Sequence, residues 1–280
     1  MTTPTCFCGS TRNALVIEGQ YSAIKFNGRA VGFRALRCLD CDLVFTDPPP
    51  TTDVLLYQTY YYEDKPPNEC WITNYTNYRV SRLSRYLNSS TKALEIGCAD
   101  GDFVDRIKGL GVAESIGVEL SRPTADAGRA LGRDIRHGDV RECNFLTAHF
   151  DIVQAHHVVE HIHGLHEFLA EVHRITKRGG HFYVSLPRYN SMFVKNDPNW
   201  IGWYPQQHFW HFSEKTLTRI MSEHAFKLAD IAIVTARNYF PVQSRPGLLY
   251  PAKVAVKQMI NQTVKTFKLG DLIDAFYEAV

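Results

Sequence analysis

The stretch Lys92-Ala93-Leu94-Glu95-Ile96-Gly97-Cys98-Ala99-Asp100-Gly101-Asp102-Phe103 constrains the fold of this chain more than any other. Ala93 to Ile96 read as a short buried strand, and a glycine-rich turn follows at once. Asp102-Phe103-Val104-Asp105-Arg106-Ile107 then carries the apolar spacing of a helix. Together these elements predict a nucleotide site. Glycine lets the backbone approach a ligand, and the first turn of a helix offers oriented N–H donors. The dinucleotide fingerprint G-x-G-x-x-G would need glycine at 97, 99 and 102, where this chain has Ala99 and Asp102 at the last two. A nicotinamide or flavin site is therefore not expected. What stands is E-x-G-x-x-x-G, with Glu95 at the strand end; alone, it also fits a glycine turn in other α/β proteins.

The residues that follow narrow the choice. Ser115-Ile116-Gly117-Val118-Glu119 reads as a second strand ending in a carboxylate, 18 residues beyond Gly101. An acid there can accept hydrogen bonds from both ribose hydroxyls, as in dinucleotide folds. Residues 135–140 read as a third strand followed closely by an acid, Asp139. Residues 150–156 read as a fourth, followed by His157-Val158-Val159-Glu160-His161. Arg178-Gly179-Gly180 stops a helix and opens a fifth strand to Pro187. In order and spacing, residues 91 to 187 resemble the class I S-adenosylmethionine-dependent methyltransferases. The resemblance implies an α/β fold with a Rossmann-like seven-stranded sheet. It also implies a site for S-adenosyl-L-methionine lined by Glu95, Gly97, Cys98, Ala99 and Gly101, by Glu119 and Leu120, by Asp139 and Val140, and by His156. There the glycines make room for the methionine and ribose parts of the cofactor.

Four cysteines stand apart from this pattern. Cys6-x-Cys8-Gly9 and Cys38-Leu39-Asp40-Cys41 bracket a 29-residue stretch rich in β-formers. Two thiolate pairs on two turns, joined by a small sheet, are the arrangement of a structural zinc ribbon. Cys6, Cys8, Cys38 and Cys41 are thus the expected Zn²⁺ ligands, with four unrelated buried thiols as the alternative. A module this small has too little core to fold alone, so a metal would supply much of its stability. Cys70, Cys98 and Cys143 lack partner spacing and read as small packing residues.

Charge limits the partners. The chain holds 31 basic and 29 acidic residues, which leaves no electrostatic footprint for a nucleic acid. Residues 1–47 are balanced too, with Arg12, Lys25, Arg29, Arg34 and Arg37 against Glu18, Asp40, Asp42 and Asp47. That module is expected to be a wall of the acceptor pocket or a protein-contact surface. No apolar run approaches the roughly 18 residues of a membrane span, and the first residues carry neither the charged nor the apolar region expected of a signal peptide. The expected location is cytoplasmic, where cysteines are thiols or metal ligands.

Asp47-Pro48-Pro49-Pro50 ends the module. A helix from Asp53, the run Tyr60-Tyr61-Tyr62 and a second helix over 68–87 then form a connector that could cap the cofactor. Beyond the fifth strand, the loop from Arg188 to Phe212 is too long and too aromatic for an ordinary connection. Such loops at the carboxyl ends of strands are where α/β enzymes hold substrates. Ser213 caps a helix ending near Ala225, residues 228–236 form a sixth strand, and residues 272–277 form a last antiparallel strand or one more helix. The amphipathic stretch 251–268, with four lysines, reads as a solvated face or homodimer element, and membrane contact is a minority reading.

The expected organisation is a zinc-ribbon-like module at 1–47, a helical connector at 48–90, and a cofactor domain at 91–280 with acceptor loop 188–212 and helical insertion 251–268. Over residues 1 to 240 the chain resembles bacterial class I methyltransferases with an N-terminal zinc-binding region, which are often associated with sugar, polysaccharide or secondary-metabolite modification. Fold does not fix function, so the acceptor is the open question. The resemblance implies O-methylation of a saccharide or other small polyhydroxylated molecule. C-methylation of a deoxysugar, RNA methylation and a catalytically silent cofactor-binding scaffold are the alternatives. A sugar hydroxyl needs a base, and His157, just past the fourth strand, is the first candidate. His161 and His208 are the others. Alternatively Glu160, His161 and a loop histidine could hold Mg²⁺ or Mn²⁺ to activate the hydroxyl.

Overall fold

The structure is a computed structural model that describes residues 3–21, 30–50, 69–192, 194–235, 255–256, 258–259, 262–264 and 266–280. The helix expected from Asp53, the Tyr60–Tyr62 run and part of the 251–268 stretch lie outside the described residues.

Three strands come first: β1 (Asn13–Tyr21), β2 (Val31–Cys38) and β3 (Val44–Asp47). Helix α1 (Glu69–Leu83) precedes β4 (Lys92–Ile96), whose four residues from Ala93 are buried. The chain then alternates: α2 (Asp102–Lys108), β5 (Glu114–Glu119), α3 (Arg122–Ala130), β6 (Ile135–His137), β7 (Phe150–His156), α4 (Leu165–Ile175) and β8 (Thr176–Pro187). A two-residue strand β9 (Trp210–His211), helix α5 (Glu214–Glu223), β10 (Phe226–Val234) and β11 (Leu272–Ala279) complete it. Helix α5 starts where Ser213 predicts. Ser213 Oγ accepts from the Thr216 N–H at 3.2 Å, and the Ser213 N–H donates to Thr216 Oγ1 at 3.0 Å, a reciprocal capping box.

Strands β4 to β8 are parallel and β11 runs antiparallel between β8 and β10, in the order β10-β11-β8-β7-β4-β5-β6. This is the seven-stranded Rossmann-like sheet that the resemblance implies. Residues 272–279 are strand, which settles the alternative of a helix there. In a parallel sheet both faces of a central strand are covered, so β7 is almost continuously buried from Ile152 to Ala155. Chain order reverses between the adjacent strands β4 and β7, since the chain leaves β4 for β5 and β6 on one side and returns to β7 and β8 on the other. In open α/β sheets the ligand crevice lies at the carboxyl ends of the strands at that switch point. Gly97 and His157 stand directly beyond those two strand ends.

The second sheet has the order β1-β2-β3-β9, so the aromatic loop supplies an edge strand to the N-terminal sheet. Phe45 pairs with Trp210 and Val44 with His211. One apolar cluster runs through both sheets, joining Cys6, Leu36, Leu43 and Phe45 to Ile96, Val118, Val140 and Trp210. No helix among the described residues is long and apolar enough to cross a membrane.

Candidate active site

The turn after β4 is built to keep side chains away. Gly97 takes φ 70°, and a Cβ there would stand 2.5 Å from Val158 Cγ2, so only glycine fits. The Gly97 and Cys98 N–H groups donate to the Val118 carbonyl at 2.8 and 3.1 Å, tying the turn to β5. Gly101, at φ 78°, caps α2. Ala99 lends its N–H to Glu119 Oε2 at 3.0 Å, and Ser121 lends its N–H to Oε1 at 2.7 Å. Each carboxylate oxygen keeps a further lone pair, enough for a diol. Burial pushes the Glu119 carboxyl above its ordinary range, and those N–H donors oppose the shift.

A cavity of about 900 Å³ opens beside this turn. Gly97, Glu119, Leu120, Asp139, Val140 and His156 line it, as do His157 and His161. Thr5, Cys6 and Phe7 of the N-terminal module and Gln206, Gln207, Phe209 and Trp210 of the aromatic loop form the opposite wall. Glu95, Cys98, Ala99, Gly101 and His208 do not line it. Asp139 is gripped by its neighbour, with Arg141 Nε at 2.8 Å from Oδ1 and Nη2 at 2.6 Å from Oδ2.

Glu95 is buried under the turn, ion-paired to Arg79 of α1, which also donates to Gln154 Oε1 at 3.1 Å. The Arg79 guanidinium lies 3.5 Å from the Phe103 ring centroid. Burial pushes the Glu95 carboxyl up, against the pull of Arg79. From the same helix, the Tyr75 hydroxyl reaches His156 Nδ1 at 3.1 Å. Sequence reading assigns neither Arg79 nor Tyr75 to the site. Their four-residue spacing on one helix face, one turn apart, is the only signal that could have found them.

The turn after β7 brings histidines to the cavity. His157 has φ 53°, its N–H donates to the Ser185 carbonyl at 2.8 Å, and its ring is 41% exposed. Its Nδ1 lies 3.4 Å from Oε1 of Glu160, a residue 1% exposed. The aromatic loop is pinned over this turn. The Phe209 N–H donates to the Glu160 carbonyl at 2.9 Å, and Trp210 Nε1 donates to the Ile162 carbonyl at 2.7 Å. The His161 and His208 rings meet edge to face with centroids 4.5 Å apart. Burial pushes the His161 imidazole down to about 3 and His208 in the same direction, so both are neutral at physiological pH. Burial works against ionisation of Glu160, but the facing His157 imidazole holds its carboxyl down at about 2. His211 is directed away: its Nε2 lies 2.8 Å from Thr46 Oγ1, which itself donates to the His208 carbonyl at 2.7 Å.

The four cysteines converge as their pairing predicts. Cys6 and Cys41 sulfurs are 3.5 Å apart, Cys8 and Cys38 sulfurs 3.6 Å, and all four sulfurs lie within 4.8 Å of one another. Thiolates bound tetrahedrally at about 2.3 Å from Zn²⁺ would sit about 3.8 Å apart, so the donor set fits that ion. Left-handed residues follow each pair, Gly9 at φ 81° and Asp42 at φ 62°. Burial opposes it, yet N–H groups of Asp40 and Cys41 lower the Cys38 thiol to about 7, while burial raises the Cys6 thiol and pushes Cys41 up to about 11. Phe7, between the first two cysteines, stacks on His166 at 3.8 Å, so this cluster borders the cavity directly.

A family model described as a methyltransferase domain matches residues 74–231. A curated relative from Mycolicibacterium smegmatis, described as a probable S-adenosylmethionine-dependent methyltransferase, is 34% identical over 96 residues, covering 34% of this chain and 37% of that protein. The chain thus matches little more than a third of that relative's length. Among solved structures, an S-adenosylmethionine-dependent methyltransferase from Archaeoglobus fulgidus superposes with TM-score 0.54 at 20% identity, covering 75% of this chain and 94% of the other. Another, from Mesorhizobium loti, superposes with TM-score 0.51 at 13% identity, covering 71% and 96%. At these identities the likeness concerns the fold.

Proposed function

Because the chain belongs to the methyltransferase-domain family, whose model spans residues 74–231, we propose that it methylates a hydroxyl oxygen of a small polyhydroxylated acceptor, with a sugar the first candidate. The observation that carries this reading is the position of His157, on one cavity wall between the cofactor turn and the aromatic loop. S-adenosyl-L-methionine, when bound, supplies a methyl group on a sulfonium sulfur, which departs as a neutral thioether. Gly97 leaves room for it, Glu119 accepts from the ribose hydroxyls, and Leu120 and Val140 provide apolar contact for the adenine.

His157 takes the proton of the acceptor hydroxyl as its oxygen forms the new bond to the methyl carbon and the carbon–sulfur bond breaks. With a proton on Nδ1 facing Glu160, Nε2 is left to accept. Glu160 orients the imidazole and stabilises the imidazolium that forms, as a buried carboxylate does in other histidine-based sites. The aromatic loop holds the acceptor near attack distance and excludes water, through the faces of Phe209 and Trp210 and the amides of Gln206 and Gln207.

Among the described residues, the cavity has one arginine, Arg141, already paired to Asp139, against the acids Glu119, Asp139, Glu142 and Glu167. That balance favours a neutral acceptor over a phosphorylated one. Cys6, Cys8, Cys38 and Cys41 hold one structural Zn²⁺, so the module at 1–47 acts as a metal-stiffened wall of the acceptor pocket. The test is transfer of labelled methyl from S-adenosyl-L-methionine to neutral sugars and to the same sugars phosphorylated. Labelling of neutral sugars is expected; transfer confined to phosphorylated sugars, or to none, would overturn the acceptor assignment.

A further inference from the structure

We propose that Glu160, His161 and His208 form a second divalent-metal site, separate from the four cysteines, which clamps the turn after β7 to the aromatic loop. One ligand atom from each of the three lies within 4.8 Å of the others, close enough for one ion to bridge them with small side-chain adjustments. The second observation is independent of that spacing. Glu160 is 1% exposed, yet neither carboxylate oxygen has a hydrogen-bond partner; the His157 ring nitrogen Nδ1 stands 3.4 Å from Oε1. A buried carboxylate with unfilled lone pairs is costly, and neither His161 nor His208 donates to it. A cation would fill that gap.

His208 is already arranged as a ligand. Its Nδ1 donates to the Gly202 carbonyl at 2.9 Å, which leaves the Nε2 lone pair for a metal. Carbonyl support of this kind fixes the tautomer and ring orientation of metal-bound histidines. The backbones carrying the ligands are also locked together, through the Phe209 N–H on the Glu160 carbonyl at 2.9 Å. Two imidazoles and one carboxylate suit Zn²⁺, Fe²⁺ or Co²⁺; Mg²⁺ prefers an all-oxygen shell. The ion class is therefore a borderline transition metal. The inference does not depend on the acceptor or on methyl transfer.

The experiment strips the full-length protein with a chelator and reloads it with Co²⁺, which reports its ligands by colour. The cysteine cluster gives intense near-ultraviolet thiolate-to-metal absorption, whereas a nitrogen and oxygen site gives only weak visible bands. Wild type should bind about two ions per chain, with the second adding visible bands and no thiolate absorption. Glu160→Gln and His208→Gln should each weaken the second ion by roughly 100-fold or more and leave the thiolate signal intact, which also reports that the chain is folded. Wild type saturating at one ion, all of it thiolate-bound, would overturn the proposal. So would a second ion that both variants bind as tightly as wild type.

Discussion

The two walls of the cavity are assembled in different ways. The cofactor wall comes from consecutive strand–turn units, and Glu119 is fixed by N–H groups 20 and 2 residues away. The opposite wall is composite. Thr46 of β3 meets His208 and His211 across 162 and 165 residues, and β9 exists only because β3 is there to pair with it. A wall made of local units is read from spacing and keeps its shape when distant segments are disturbed. A composite wall depends on every segment that enters it, so damage to any one should spare cofactor binding and strike acceptor binding.

The largest test removes two of the four proposed zinc ligands. Cys38→Ser with Cys41→Ser should abolish the metal of the cysteine cluster and nearly all methyl transfer, since metal binding supplies folding free energy to so small a module. S-adenosylhomocysteine should still bind. Metal analysis, turnover and calorimetry on one preparation check this, and loss of cofactor binding together with activity would erase the distinction between the walls.

Acid should also separate them. An unfolded histidine titrates near 6.5, whereas burial holds His161 and His211 at about 3 in the folded, metal-free chain. Below about 6.5 the unfolded chain therefore binds protons that the folded rings refuse, and stability falls by up to about 1.4 kcal/mol per pH unit for each ring. Glu160, held at about 2, acts in the same direction, because its contribution is lost as pH drops below the ordinary carboxylate range. Hydrogen exchange resolved by segment should show residues 200–212 losing protection before residues 92–119 as pH falls from 7 to 4. Protection lost first around β4 would count against this account.

His157→Ala should lower turnover by roughly 100-fold while leaving affinity for S-adenosylhomocysteine unchanged. Unaltered turnover would leave His157 without a role as base. The smallest expected effect is Thr46→Val, which deprives the buried His211 Nε2 and His208 carbonyl of a partner and costs about 1 to 3 kcal/mol of stability. Its kinetic signature should be a raised KM for the acceptor with cofactor affinity unaltered.

The contrast between the walls also sets what the sequence could reveal. The parallel strands, the turn at Gly97 and the acid at Glu119 follow from local patterns, and all appear where spacing predicts them. The last strand was ambiguous because Leu272 to Ala279 mixes Asp274 and Glu278 into an apolar run, and Asp274 is buried against distant partners that include Arg82 and Tyr183. Arg79 was illegible because its partner Glu95 lies 16 residues on, in another element. That pairing keeps Glu95 beneath the turn, where sequence reasoning expects it at the cofactor. His208 and His211 look alike in sequence. The fold separates them by giving His211 to Thr46 and His208 to the Gly202 carbonyl, beside Glu160.

The most direct test of the central claim is calorimetric titration of S-adenosylhomocysteine into wild type, Glu119→Ala and Thr46→Val. The account predicts a single site in wild type, an affinity lower by about 1 to 3 kcal/mol in Glu119→Ala, and no change in Thr46→Val. Absence of binding to folded wild type, or equal affinity in Glu119→Ala, would contradict it.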